Sequence, residues 1–183
     1  MRRFLAGTFV ALTALVLAAQ EKPEKPEKPE RKTAWPLSLA DGLPKELPGY
    51  LAAPTDPLPD TDENQMGAFT QVARFFQRIE SPTVTRQFQL VVQDYGKEKN
   101  LEEEIRKAMA EASTHPGVEA REVMMAGHKA FAVTDKSQGN PTTLVTVLVL
   151  PYRLVLAEGA NVDRDASIKL LSYVDFAKVA AAK

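Results

Sequence analysis

The chain contains no cysteine in 183 residues. That one absence excludes disulfides, thiolate metal sites, cysteine nucleophiles and a lipid-modified N-terminal cysteine. Without cross-links, stability rests on the apolar core alone. Residues 33–183 suffice for this, because a domain of about 150 residues buries ~68–70% of the surface its unfolded chain exposes.

Histidine is almost as scarce. His115 falls in "THPG" where a helical pattern stops, and His128 falls in "AGHK" at a turn. Neither has a second ligand at a metal-like spacing. The chain also lacks Gly-x-Ser-x-Gly, a phosphate-binding loop and a dinucleotide glycine fingerprint. Ser81, Ser113, Ser137, Ser167 and Ser172 fall in turns, helix ends or a helix. No catalytic residue and no cofactor is therefore assigned. Glu158 beside Gly159, and Asp94 beside Tyr95, are carboxylates at strand ends where acid–base groups can sit, but each stands alone.

No charge of one sign dominates, with 23 basic and 24 acidic residues. Setting aside Arg2, Arg3 and the spacer described below leaves 16 basic against 20 acidic residues in 33–183, a body charge of −4. An acidic body is a poor partner for phosphate backbones, which excludes nucleic acid. Phe69, Phe75, Phe76 and Phe88 with Arg74, Arg78 and Arg86 would suit a base-stacking sheet, but strand alternation divides them between opposite faces.

No apolar run reaches the ~20 residues that cross a bilayer. The longest extends from Phe4 to Ala19, sixteen residues interrupted by Gly7, Thr8 and Thr13. Two arginines before it and small residues at its end make residues 1–19 a signal peptide. Cleavage after Ala18 places Val16 at −3 and Ala18 at −1. The expected location is periplasmic or secreted, in a bacterium. A membrane is a partner only if the segment stays uncleaved as an inner-membrane anchor.

What is abundant is proline, and it is concentrated early. Residues 20–33 hold "EKPEKPEKPERK", three Glu-Lys-Pro repeats and a basic close. Proline at every third position fixes φ, removes N–H donors and disfavours helix in the preceding residue. With nothing apolar to bury, this linker is expected to be disordered and to sample polyproline II. Its twelve residues reach roughly 37 Å. Residues 34–65 carry six more prolines and are expected to wrap the domain as extended chain. Trp35, Leu37, Leu39, Leu43, Leu47 and Tyr50 are its candidate anchors, and a short strand is placed near Tyr50 to Ala53.

Residues 66–183 read as one globular domain. In "TVTRQFQLVVQDY", Val84, Phe88, Leu90 and Val92 alternate with Thr85, Gln87, Gln89 and Gln93, the pattern of a half-buried strand. "AFTQVARFFQR" is its partner across a Ser81-Pro82 turn. "NLEEEIRKAMAEAS" sets Leu101, Ile105, Ala108, Met109 and Ala112 on one helical face, with Asn100 as N-cap and Glu103 at the box position. "EVMMA" and "KAFAVT" meet around Gly127-His128, and "TTLVTVLVL" and "YRLVLAE" around Pro151. A last helix follows, capped by Asp163 or Asp165, with Ile168, Leu171 and Val174 inward. Short links between strands force antiparallel pairing. The expected fold is α+β: an antiparallel sheet of about six strands flanked by helices.

The runs "MGAFTQVARFF", "VTRQFQLVVQDYG", "MMAGHKAF", "YRLVLAEGANV" and "LLSYVDFAKVAA" resemble a group of uncharacterised exported bacterial proteins, over most of residues 49–181. More distantly the layout is similar to the PsbP-like α/β/α sandwich. That resemblance implies an assembly factor, accessory subunit or binding module. It carries over no catalytic residue, and the proline-rich lead-in is not part of its pattern.

One acidic stretch, "DPLPDTDENQMG", approaches a calcium loop. Asp60, Asp62 and Asn64 match positions 1, 3 and 5 of an EF-hand, but Gln65 replaces the turn glycine and Gln71 the bidentate glutamate. They remain weak metal candidates in a charged loop. The expected function is an exported, non-catalytic binding or accessory domain for a protein partner or envelope component. Residues 56–65 and 135–141 are its expected contact loops. The alternatives are a small-ligand or ion-binding module with a pocket between sheet and helix, and an unrecognised hydrolase.

Overall fold

The strongest period-two stretches form a long hairpin. β3 (Gly67–Ser81) pairs antiparallel with β4 (Val84–Asp94), from Thr70 opposite Asp94 to Ser81 opposite Val84, with a register shift between Ile79 and Ser81. The computed structural model describes residues 37–182 apart from 54–57, 65, 83, 98 and 138–140. The chain divides into Met1–Ala34 and Trp35–Lys183. The expected signal peptide (1–19) and linker (20–33) lie outside the described residues, as does Trp35.

The other strands are β1 (Leu51–Ala52), β2 (Leu58–Asn64), β5 (Val118–Met125), β6 (His128–Asp135), β7 (Thr142–Leu150) and β8 (Arg153–Ala160). Their order is β1-β3-β4-β8-β7-β6-β5, and β2 lies against the same outer edge of β3 as β1. Every pairing is antiparallel, so the α+β architecture holds. The strand count does not. Eight strands replace the expected six: β1 is the short strand expected near Tyr50 to Ala53, and β2 forms from a part of the proline-rich lead-in read as a loop. Pro59 is tolerated in β2 because β2 is an edge strand, where a missing N–H costs no ladder bond. The same lead-in opens with a 3-10 helix (Leu37–Gly42) rather than extended chain, and buries Leu39, Leu43 and Leu47.

Alternation along the strands sends two sets of side chains to opposite faces. On one face Val72, Phe76, Phe88, Leu90, Val92, Val145, Val147, Val155 and Ala157 form the main core. It is closed by the 3-10 helix, by α2 (Arg164–Leu171) and by α3 (Phe176–Ala181) through Leu39, Leu43, Leu170, Leu171, Phe176 and Val179. On the other face a smaller cluster, Phe69, Tyr95, Leu101, Ile105, Phe131 and Leu154, gathers under α1 (Glu102–Ala112).

Local chemistry fixes the ends of these elements. Asp163, one of two expected caps, accepts from the Ala166 N–H at 2.7 Å and starts α2. Asp175 does the same for α3 through the Lys178 N–H at 3.0 Å. Asn100 is not the N-cap of α1. Leu101 holds that position without a side-chain cap, and its N–H donates to the Pro151 carbonyl at 2.8 Å. The β5–β6 turn is Ala126-Gly127, one residue earlier than expected, with φ of 48° and 84°. Two left-handed residues match the twist of a hairpin. Arg153, only 5% exposed, ties the closing helix to the sheet: its Nε donates to Asp94 Oδ2 at 2.7 Å and its Nη1 to the Val179 carbonyl at 2.6 Å and the Ala182 carbonyl at 3.1 Å.

Candidate functional site

The α1 side of the sheet is only partly covered. Across it, one register row runs Phe75–Gln89–Glu158–Leu144–Val133, from β3 through β4, β8 and β7 to β6. All five side chains are half-buried. On β8, Ala157 beside Glu158 points into the main core and the Gly159 position faces Phe88 there, which is why Glu158 cannot. Gln89 Nε2 donates to Glu158 Oε2. Burial pushes the Glu158 carboxyl up from its ordinary value, and the Gln89 hydrogen bond pulls against that.

Two rows nearer to α1 the polar pattern continues. Asn64 Nδ2 donates to the Tyr95 hydroxyl at 2.7 Å, that hydroxyl donates to Gln93 Oε1 at 3.1 Å, and Gln93 Nε2 donates to Gln71 Oε1 at 3.2 Å. Tyr95 packs on Phe69 with ring centroids 5.0 Å apart. Burial raises the Tyr95 phenol, the Asn64 hydrogen bond opposes this, and the Asp62 charge adds to it. These three hydrogen bonds join β2, β4 and β3 in one chain and stiffen the floor of the face.

Toward the tip of the β3–β4 hairpin the same face turns apolar. Leu51 lies opposite Gln77, and Ile79 follows two residues along β3. They are 63% and 65% exposed. The surface therefore passes from exposed aliphatic groups, through half-buried Phe75, to a carboxylate held by an amide, with half-buried Leu144 on its far side. Such a surface can take up apolar side chains and accept hydrogen bonds at Glu158. No nucleophile or second acid is hydrogen-bonded to Glu158 among the described residues.

The residues singled out by sequence are scattered. Asp60, Asp62 and Asn64 occupy alternate positions of β2, a strand where a loop was expected, opposite Gln71, Phe69 and Gly67. Asn64 spends its amide on Tyr95 and its Oδ1 on the Met66 N–H at 2.9 Å, so its oxygen is already committed. Among the described residues no three His, Asp or Glu side chains gather as a metal site. Asp94, expected to stand alone, is the ion-pair partner of Arg153. His115 is exposed in a turn, and His128 lies against Phe176 at 5.4 Å. Of the two expected contact loops, 58–64 is β2, and 54–57, 65 and 138–140 lie outside the described residues.

Two clefts open on the main-core side. One, of about 320 Å³, lies between β5, β6 and the start of α2, lined by Glu119, Arg121, Lys136, Arg164 and Asp165. Its charges largely satisfy one another, with Lys136 Nζ 2.7 Å from Glu119 and Arg164 2.9 Å from Asp165. The other, of about 270 Å³, is lined by Arg74, the 3-10 helix and the α2–α3 junction.

Sequence reasoning marked Glu158 but not its partner. Gln89 and Glu158 are 69 residues apart. Gln89 sits on the polar side of its strand and Glu158 interrupts an apolar one, so alternation marks each residue but not their pairing. Among the described residues no helix is long and apolar enough to cross a membrane. No protein-family model matches the chain, and no curated protein is significantly similar to it.

Proposed function

We propose that this is an exported, non-catalytic binding domain whose partly covered sheet face receives a protein partner in the cell envelope. The reading rests chiefly on the surface that runs from exposed Leu51 and Ile79 to the Glu158–Gln89 pair. Contiguous exposed apolar groups beside polar ones mark interaction surfaces. The apparent export signal and the resemblance to PsbP-like accessory domains point the same way. If the N-terminal segment stays uncleaved, the Glu-Lys-Pro linker is a tether to the inner membrane. If it is removed, the linker is a free tail.

The test is cross-linking capture from envelope extract with the wild-type chain and with a Leu51→Asp/Ile79→Asp double variant. The expected result is one reproducible protein held by the wild type and lost by the variant, with both chains folded by circular dichroism. Capture that is indifferent to the variant, or no reproducible protein at all, would overturn the reading. The small-ligand alternative is favoured by a separate observation, the cleft at Arg74.

A further inference from the structure

Arg74 stands where strand alternation would place an apolar residue. It lies between Val72 and Phe76 on the main-core face of β3, opposite Leu90 of β4. Its side chain lines the 270 Å³ cleft with Ala40, Lys45, Tyr173, Asp175 and Lys178. The Nε atom is buried and has no hydrogen-bond partner. Among the described residues no carboxylate forms an ion pair with Arg74. Asp175 is engaged by the Lys178 N–H at 3.0 Å and by Lys178 Nζ at 3.2 Å, which hold its carboxyl below the usual range. Asp41, the other acid of the cleft, is exposed and forms no ion pair with Arg74.

A buried donor left unsatisfied lowers stability, so Arg74 is held here at a cost to the fold. Of the cleft cations Arg74 and Lys45, Arg74 is the less exposed, and Lys45 also has no ion pair among the described residues. A guanidinium presents parallel N–H donors that match a carboxylate. The two acids at the rim disfavour a dianion such as phosphate. Tyr173, 42% exposed, supplies an aromatic wall.

We propose that this cleft is a binding site for a small carboxylate attached to an apolar or aromatic group, with the carboxylate on Arg74 and the apolar part against Tyr173. The site lies on the opposite side of the sheet from the proposed partner face, so it stands or falls separately. The source of the carboxylate is either a free metabolite-sized acid or a peptide C-terminus.

The experiment is an NMR titration of the full chain, following the Arg74 Nε–H resonance in the wild type and, in wild type and variants alike, the backbone amides of Gly42 and Asp175, which line the same cleft. The probes are benzoate, inorganic phosphate, and a short peptide ending in phenylalanine with either a free or an amidated C-terminus. The expected result is a saturable shift of the Arg74 signal with benzoate, and affinity at least tenfold weaker for phosphate and for Arg74→Lys. Tighter binding of the free-acid peptide than of benzoate, lost on amidation, identifies a peptide terminus as the source; the reverse order identifies a free acid. Arg74→Met should melt at the same temperature as wild type or higher while losing binding, since it removes an unpaired donor from apolar surroundings. No saturable shift with any carboxylate, equal response in Arg74→Met, or a lower melting temperature for that variant would overturn the proposal and leave Arg74 a structural residue.

Discussion

The two faces of the sheet are built from the same strands, residue by alternate residue, yet they end in different states. On one side, Phe88 is 2% exposed and Val155 and Ala157 are fully buried beneath α2, α3 and the 3-10 helix. On the other, Phe75, Leu144 and Glu158 stay half-buried, because α1 gathers over Phe69, Phe131 and Leu154 and contacts β5 and β6 rather than the centre. One face stores stability and the other keeps surface available. A domain that must both hold together without cross-links and offer a binding surface can divide the tasks in this way.

The comparison breaks most sharply at Arg153. This buried cation joins Asp94 to the carbonyls that end α3, so it holds the cover onto the sealed face. Arg153→Met leaves Asp94 without its partner, and removing one member of a buried pair costs about 3–5 kcal/mol. Urea unfolding of the variant should show that loss. Hydrogen exchange should show α3 opening first, while α1 keeps its protection.

Truncating one aromatic on each face measures the difference directly. Phe88→Ala removes a fully packed ring and should cost about 3–5 kcal/mol. Phe75→Ala, one strand away on the half-open side, should cost about 1 kcal/mol, in line with its partial burial. Equal losses in chemical denaturation would mean that the two faces are equally packed.

Tight packing of the sealed face also shows at Gly159. A Cβ there would lie 2.7 Å from Val162 Cβ and 3.2 Å from Phe88 Cδ2. Gly159→Ala should therefore cost about 1–3 kcal/mol through overpacking. Val162→Ala in the same chain removes the Val162 Cγ2 that would lie 2.9 Å from the new Cβ and should recover part of that loss, which a backbone effect of the alanine would not allow.

Much of the sealed face was legible in the sequence. Phe88, Leu90 and Val92 alternate cleanly, and the helical period of residues 101–112 identifies α1. Val84 was read as part of the same buried row but is 40% exposed, because the β3–β4 hairpin runs on past the end of β8, whose last partner on β4 is Gln87. Apart from its short strand near Tyr50 to Ala53, the lead-in was misread because six prolines suggest irregular chain, whereas an edge strand accommodates Pro59 and the 3-10 helix Leu37–Gly42 runs for only about two turns. The candidate site was legible only in part. Glu158 is conspicuous in an apolar strand, but the residue that meets it lies across a hairpin and a helix. Periodicity gives the face on which a residue lies and not its neighbour on the next strand, and Asp94 with Arg153 was hidden for the same reason.

The smallest expected effect bears most directly on the open face. Burial makes the folded Glu158 carboxyl hold its proton to a higher pH than the unfolded chain does. Its contribution to stability is thus complete below the unfolded value and is lost as pH rises through the raised folded one. At neutral pH the ionised group is the less comfortable state for a partly desolvated position, and the Gln89 bond only partly offsets this. Glu158→Gln keeps the size and an acceptor for Gln89 but has no charge to desolvate. The variant should be more stable than wild type at pH 7.5, and the two should converge below pH 4, when urea midpoints are compared across that range. A variant less stable at pH 7.5 would mean that the ionised carboxylate is held by its amide partner more strongly than burial opposes it. Glu158 would then be a structural member of the sheet rather than a group kept available on its open face.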